Sequence, residues 1–338
     1  MHPPGGPPGL AAVIVADPSP GPSEVVVETR AVSLNHRDVL HLRGGALASA
    51  LAPDGIPCSD AAGIVVAAGA EVERVRVGDR VVSTFAPRWT AGPYSTSYVR
   101  TASTGAPGGV LAEYWLAPAD AVLPMPAGMT FEAASTLPCA ALTAWHALFE
   151  ESAPIAGSTV LTLGTGGVAV FALQFAAWAG MRVVAATSRL DRVERLRALG
   201  AHDVVHGETP ADVCDAVLRA TQHAGVDHVI DVSGQGTLGV SLRMVRDGGI
   251  VSLIGALAPP VAVALSPVFL RNIRIQGIVV GSTAMFTRLL EAYATGLPAP
   301  VVDRIFPFDE APRAFAHLEQ RQHVGKVVIG VGDPTGGE

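Results

Sequence analysis

The 338-residue chain has one lysine, three cysteines and few aromatic side chains, 5% of the total. Lysine and arginine together number 23 against 30 acids, for a formal net charge of -7, and no long basic run breaks the pattern. Neutralising the phosphates of a nucleic acid requires clustered cations, so a nucleic-acid partner is excluded. Cys58, Cys139 and Cys214 are odd in number and have no CxxC spacing, so they build neither a disulfide framework nor a four-thiolate zinc site. The expected compartment is the cytoplasm. Charged residues are scarce, 16% against 49% hydrophobic, as suits an α/β protein whose central strands are covered on both faces. The first 22 residues lack a basic segment ahead of their seven-residue apolar run "LAAVIVA". They read as a Pro/Gly leader followed by one strand, not as a signal peptide.

What is present divides in two. From Leu10 to about Leu123, short β-rich runs such as "EVVVETRAVSL", "AAGIVVAAG" and "GDRVVSTF" alternate with turns. Within them Ser83–Gly109 is a long Gly-, Ser-, Thr-, Pro- and Tyr-rich stretch without strong periodicity, as expected of a lid, a substrate loop or a disordered segment. From about Pro124, strands and helices alternate at βαβ spacing, which predicts a parallel sheet. The tail from Leu297 returns to short strands and one helix. The expected domains are residues 1–122 with 297–338, and residues 123–296.

The uncharged stretch Val160–Gly180, "VLTLGTGGVAVFALQFAAWAG", admits a membrane span or a phosphate cradle. A span needs about 20 unbroken apolar residues, and Gly164, Gly166 and Gly167 interrupt this one. A strand before the glycines and a helix after them instead match the dinucleotide fingerprint, here Gly164-x-Gly166-x-x-Ala169. Gly164 permits the tight turn, Gly166 admits a pyrophosphate to the backbone, and small Ala169 lets helix and strand pack. The following helix N-terminus, with Thr165, Gly167 and Val168, offers N–H groups to phosphate. At the end of the second strand, "ATSRLDR" places Thr187 and Ser188 where an acid would select NAD, with Arg189 and Arg192 ready for a 2′-phosphate. NADPH is the expected cofactor and NADH the alternative. The competing reading makes Ser188 a helix cap with Asp191 as its partner and both arginines solvated.

Five ordered stretches, "AVSLNHRD", "IPCSDAAGIVVAAGAEVERVRVGDRVV", "LAEYWLAPADAVLPMPAGMTFEAASTLPCAALTAWHAL", "GTGGVAVFALQFAAWAGMRVVAATS" and "AHLEQRQHVGKVVIG", resemble the medium-chain dehydrogenase/reductase superfamily over nearly the whole chain. The likeness is greatest to the zinc-free branch of quinone oxidoreductases and enoyl reductases, whose members often carry an alcohol dehydrogenase label. The resemblance implies a GroES-like β-rich catalytic domain plus a doubly wound Rossmann domain, an α/β fold. It also implies a homodimer joined through the last Rossmann strand, "RIQGIVVGS", and a small-molecule substrate; the glycine-broken apolar run argues separately against a membrane partner. Where zinc-dependent members carry ligands, this sequence has Asn35, Ser59 and Cys139, so no metal is expected.

By the same resemblance Asn35, Asp38 and Thr143 are the catalytic candidates. Asn35 donates to a developing oxyanion or to the nicotinamide ribose, Thr143 faces the nicotinamide, and Asp38 matches a recurrent acidic position or else anchors the turn at Asn35. Backbone at Val232, Ser233, Ile254, Gly255 and Val280 lines the carboxamide, and Lys326 approaches the cofactor. His36, Arg37, His41, Trp89, Tyr94 and Tyr98 are candidate substrate contacts. The family pattern is not reproduced at Leu40, where an aromatic often stands, or at Gly207, where a tyrosine often holds the phosphate of NADP. His202, His206, His223 and His228 share no metal spacing and read as surface residues. The expected activity is NADPH-dependent reduction of an activated C=C in an enone, enoyl or quinone substrate. The alternatives are metal-free alcohol or ketone chemistry and a non-catalytic NADP(H)-binding sensor.

Overall fold

In the computed structural model, which describes residues 10–43, 55–99, 108–152, 155–255 and 262–332, the chain divides into two compact units. One comprises residues 1–142 with 281–338, the other residues 143–280. The leader Met1–Gly9, residues 100–107 of the expected loop and the Ala256–Leu257 end of "GIVSLIGAL" lie outside the described residues.

The first unit is built on β1 (Glu24–Ser33), whose β-branched residues Val25, Val26, Val27 and Val32 are buried. It pairs antiparallel with β2 (Asp60–Ala68), which continues to β3 (Arg80–Ser83), while β4 (Tyr114–Pro118) also pairs with β1. The short β5 (Val122–Pro124) extends β3. Apolar side chains on these strands meet Trp115, Phe306 and Phe315 in one core. The run Leu10–Ala16 is not a strand. Its Val13, Ile14 and Val15 are exposed and residues 10–20 form no regular element, and prolines, which cannot donate to a ladder, follow at 18, 20 and 22.

The second unit is a parallel sheet of β6 (Thr159–Leu163), β7 (Arg182–Thr187), β8 (Asp203–His206), β9 (Val226–Asp231), β10 (Val245–Leu253) and β11 (Arg274–Gly277), ordered β11-β10-β9-β6-β7-β8. The order reverses between β6 and β9, and ligands of such sheets bind at that switch point, beyond the strand C-termini. The helix after β6, Gly167–Trp178, has 12 residues. At about 1.5 Å per residue it falls well short of a bilayer, and among the described residues no helix is long and apolar enough to cross one.

The chain then returns to the first unit through β12 (Val302–Pro307) and β13 (Lys326–Gly330), parallel to each other. β13 pairs antiparallel with β1, Ser33 opposite Val328 and Ala31 opposite Gly330.

Candidate active site

The C-terminal end of β6 carries the glycine turn. Gly164 adopts φ +86°, a conformation that suits glycine, and its N–H donates to Ala186 O at 2.9 Å, pinning the turn to β7. Gly166 is the N-cap of helix Gly167–Trp178, and a Cβ added at Gly164 or Gly166 would meet nothing within 4 Å. The backbone therefore faces open space where the first helical N–H groups, including those of Gly167 and Val168, lack intrahelical acceptors. Ala169 is buried beneath it against the sheet. A pyrophosphate fits this cradle, held by N–H groups and the positive end of the helix.

The segment after β7 separates the two arginines. Arg189 is exposed and its Nε lies 3.1 Å from Asp191 Oδ1. Arg192 is buried, 8% exposed, and its Nη1 donates to the Thr165 hydroxyl in the glycine turn. Ser188 is exposed and does not cap the helix; the Thr187 hydroxyl accepts from Arg189 N at 3.1 Å instead.

Beyond β9 the loop bearing Val232 and Ser233 is tied to Asp231, a residue that the sequence reading did not single out. Its fully buried carboxylate accepts from Ser233 N, Gly234 N and the Thr237 and Ser241 hydroxyls at 2.6–3.1 Å. Gly255, following Ile254 at the end of β10, lies so close that a Cβ there would stand 1.8 Å from Val232 O. Val280 holds φ +42°, an outlying conformation for a β-branched residue, and its carbonyl accepts from His146 Nδ1 at 2.7 Å. Thr143 is buried, as is His228, which contradicts the surface reading. His228 sits on β9 inside the covered sheet and pairs with the Ser252 hydroxyl at 2.8 Å, a partner 24 positions away. Burial, then the charge of Arg274, lowers its pKa to about 4.

In the first unit, Asn35 is the N-cap of the short helix His36–Leu42. Its backbone N–H donates to Asp38 Oδ2 at 2.7 Å, and Asp38, fully buried, is held 3.7 Å from the Arg37 guanidinium. The side chain of Asn35 joins a second set of groups. Lys326 Nζ donates to Asn35 Oδ1 at 2.6 Å and to Leu34 O at 2.7 Å. Asn35 Nδ2 donates to Asp60 Oδ2 at 2.9 Å, which also accepts from Cys139 N at 3.1 Å. Ser59 Oγ donates to Asp60 Oδ1 at 2.5 Å. Burial raises the pKa of Asp60, while the Lys326 ammonium pulls it down. Beyond its neighbour Ser59, Asp60 draws its partners Asn35 and Cys139 from 25 and 79 positions away, so no local signal reveals the network.

The residues at the zinc-ligand positions do not fit zinc. The carboxamide oxygen of Asn35 is already taken by an ammonium, whose charge repels a second cation. The Cys139 thiol is pushed up to about 12 by burial, then by the charge of Asp60, whereas zinc requires a thiolate. Ser59 supplies a hydroxyl committed to Asp60 in place of an imidazole.

The remaining candidates lie in two groups of the same unit. Trp89 is buried, and its ring stacks on Tyr98 at 6.0 Å and meets Tyr94 edge-on at 5.3 Å. The described part of the loop is thus anchored by its aromatics, with Thr283 N donating to Trp89 O at 2.8 Å. Arg37 lies 4.5 Å over the Phe85 ring. His36 is half-buried and His41 buried; burial, then Arg37, lowers the pKa of His41 to about 4. Leu40 is half-buried, and a Cβ at Gly207 would collide with Val213 N at 2.6 Å, so no larger side chain fits that place as it stands.

Two family models match the chain in order: the alcohol dehydrogenase GroES-like domain over residues 21–127 and the zinc-binding dehydrogenase over residues 167–295. A zinc-type alcohol dehydrogenase-like protein of Schizosaccharomyces pombe is 37% identical, covering 91% of each chain. A solved structure from Sinorhizobium meliloti, provisionally named an alcohol dehydrogenase, is 38% identical with a TM-score of 0.86, covering 93% of this chain and 92% of that one. The 2-octenoyl-CoA carboxylase reductase CinF, solved with NADP and 2-octenoyl-CoA, is 25% identical with a TM-score of 0.81, covering 96% of this chain and 82% of that one. With both models and full-length relatives aligned to the two units, the chain belongs to the medium-chain dehydrogenase/reductase superfamily, in its quinone oxidoreductase-like branch, and is an NAD(P)H-dependent oxidoreductase.

Proposed function

We propose that the enzyme reduces an activated C=C, in an enone, enoyl or quinone substrate, with NADPH and without zinc. The observation that carries this reading is the network of Asn35, Asp60 and Lys326, which commits the side chain at one metal-ligand position, Asn35, to hydrogen bonds with an ammonium and a carboxylate. When bound, the reduced nicotinamide supplies a hydride. The glycine turn from Gly164 to Val168 holds the pyrophosphate, Ser188 and Arg189 take the 2′-phosphate, and Arg192 braces the turn through Thr165. Backbone at Val232, Ser233, Ile254, Gly255 and Val280 receives the carboxamide, with Thr143 against the ring.

Asn35 donates an N–H to the carbonyl oxygen of the substrate. As a C–H bond forms at the β-carbon, the π pair of the C=C moves toward that oxygen, and a donor already in place lowers the barrier without reorganising. A proton from water completes the α-carbon. Asp38 positions Asn35 through its backbone. His36, Arg37, His41, Trp89, Tyr94 and Tyr98 shape the substrate's surroundings, and the aromatic cluster favours a planar guest. We place the enzyme in the cytoplasm as a homodimer formed at β11, the outer strand of its sheet. The helix Ser266–Leu270 beside it in sequence exposes Phe269 and Leu270.

Following nicotinamide absorbance with a panel of enones, enoyl thioesters, quinones, ketones and alcohols tests the reading. Turnover with the first three classes after exhaustive chelation supports it. Turnover confined to ketones or alcohols moves the activity to C=O chemistry, and tight NADPH binding with every acceptor inert makes the protein a sensor. Stoichiometric zinc in the purified enzyme sinks the metal-free mechanism.

A further inference from the structure

We infer that Lys326 and Asp60 form a clamp that decides which way round the Asn35 carboxamide stands, and so which of its atoms is left for the substrate. The inference rests on the reading of Asn35 as oxyanion donor. A carboxamide has a donor end and an acceptor end of nearly equal size, and its orientation follows from what its neighbours can offer. A lysine ammonium has only donors, so the atom 2.6 Å from Lys326 Nζ is the amide oxygen. Asp60 Oδ2 already accepts the backbone N–H of Cys139 at 3.1 Å, so the atom 2.9 Å from it is the amide nitrogen. The reversed amide would set NH₂ against an ammonium and oxygen against a carboxylate oxygen.

Each jaw is itself held. Lys326 is buried, 3% exposed, and spends a second N–H on Leu34 O at 2.7 Å. Ser59 Oγ, 2.5 Å from Asp60 Oδ1, fixes the rotation of that carboxylate. The oxygen of Asn35 and one N–H are therefore committed. The second N–H on Nδ2 is the hydrogen that the clamp leaves over, and it is the one an oxyanion requires. Lys326 and Asp60 are positioning residues, since they act through Asn35.

The test uses the full-length enzyme with isotope-labelled asparagine. The chain has two asparagines, Asn35 and Asn272, so the spectrum contains two side-chain amides, and Asn35→Ala assigns them. The clamp predicts Asn35 amide proton resonances displaced from those of a free carboxamide, which move toward the free positions in Asp60→Asn, whose substituted side chain both donates and accepts and adds one further pair of its own. Lys326→Met should do the same; if it fails to fold, the near-isosteric Asp60→Asn carries the test. Expected kinetics for Asp60→Asn are a fall in kcat of about 10- to 100-fold, short of deleting an oxyanion donor outright, with NADPH affinity by calorimetry within about twofold. An unchanged Asn35 amide signal in folded Asp60→Asn overturns the clamp. A disturbed signal with unchanged kcat overturns its role in turnover. If the wild type reduces no acceptor at all, the proposed function falls, while the amide spectrum still decides the clamp.

Discussion

Arg189 lies in solvent against Asp191, whereas Arg192, three positions on, is buried and donates to the Thr165 hydroxyl. The sequence presents them as an equivalent pair, and only the fold separates one in solvent from one bound to the turn. Their substitutions should therefore differ in kind. Arg189→Asp removes a charge suited to the 2′-phosphate and should weaken NADPH about tenfold or more relative to NADH, the scale of one charge-assisted hydrogen bond. Arg192→Ala releases the glycine turn that both nucleotides share, so it should weaken both by a similar factor. Calorimetric titration of each variant with NADPH and NADH decides the matter. Equal losses in Arg189→Asp would count against the phosphate assignment.

At the scale of elements, β6, the glycine turn and the helix Gly167–Trp178 are legible because their signals are local: a short apolar strand, a fingerprint and a helical run within 20 residues. Signals made by distant partners are not. "LAAVIVA" has the apolar content of a strand but pairs with none and leaves Val13, Ile14 and Val15 exposed, and His228 looks like a surface residue until β10 supplies Ser252. The Asn35 network is invisible for the same reason, with Lys326 lying 291 positions from its partner. His228 makes this burial measurable on β9. Its folded pKa of about 4 lies below the ordinary 6.5, so between those values the unfolded chain binds a proton that the folded strand refuses. Stability is full above pH 6.5 and falls as pH drops toward 4, by on the order of 3 kcal/mol in total. His41 adds a slope of the same sign in the other unit. Urea denaturation across this range should show a shallower loss in His228→Gln than in the wild type; identical slopes would refute the burial argument.

At the scale of the whole molecule, the exposed Phe269 and Leu270 beside the outer strand β11 test the proposed homodimer. Replacing both with Glu should halve the mass seen by analytical ultracentrifugation while leaving NADPH affinity within about twofold, because buried like charges at a symmetric contact repel across it. A wild type that sediments as a monomer would remove the proposed interface. The chain path has another consequence. Residues 143–280 form one contiguous unit, but the other unit is interrupted by it and regains β12 and β13 only afterward. On the ribosome, the nucleotide-holding half has all its strands in hand while the half that carries Asn35 still awaits the neighbour of β1. Under the proposed reading, a nascent polypeptide acquires the glycine turn meant for a reductant well before it has Lys326 to orient Asn35.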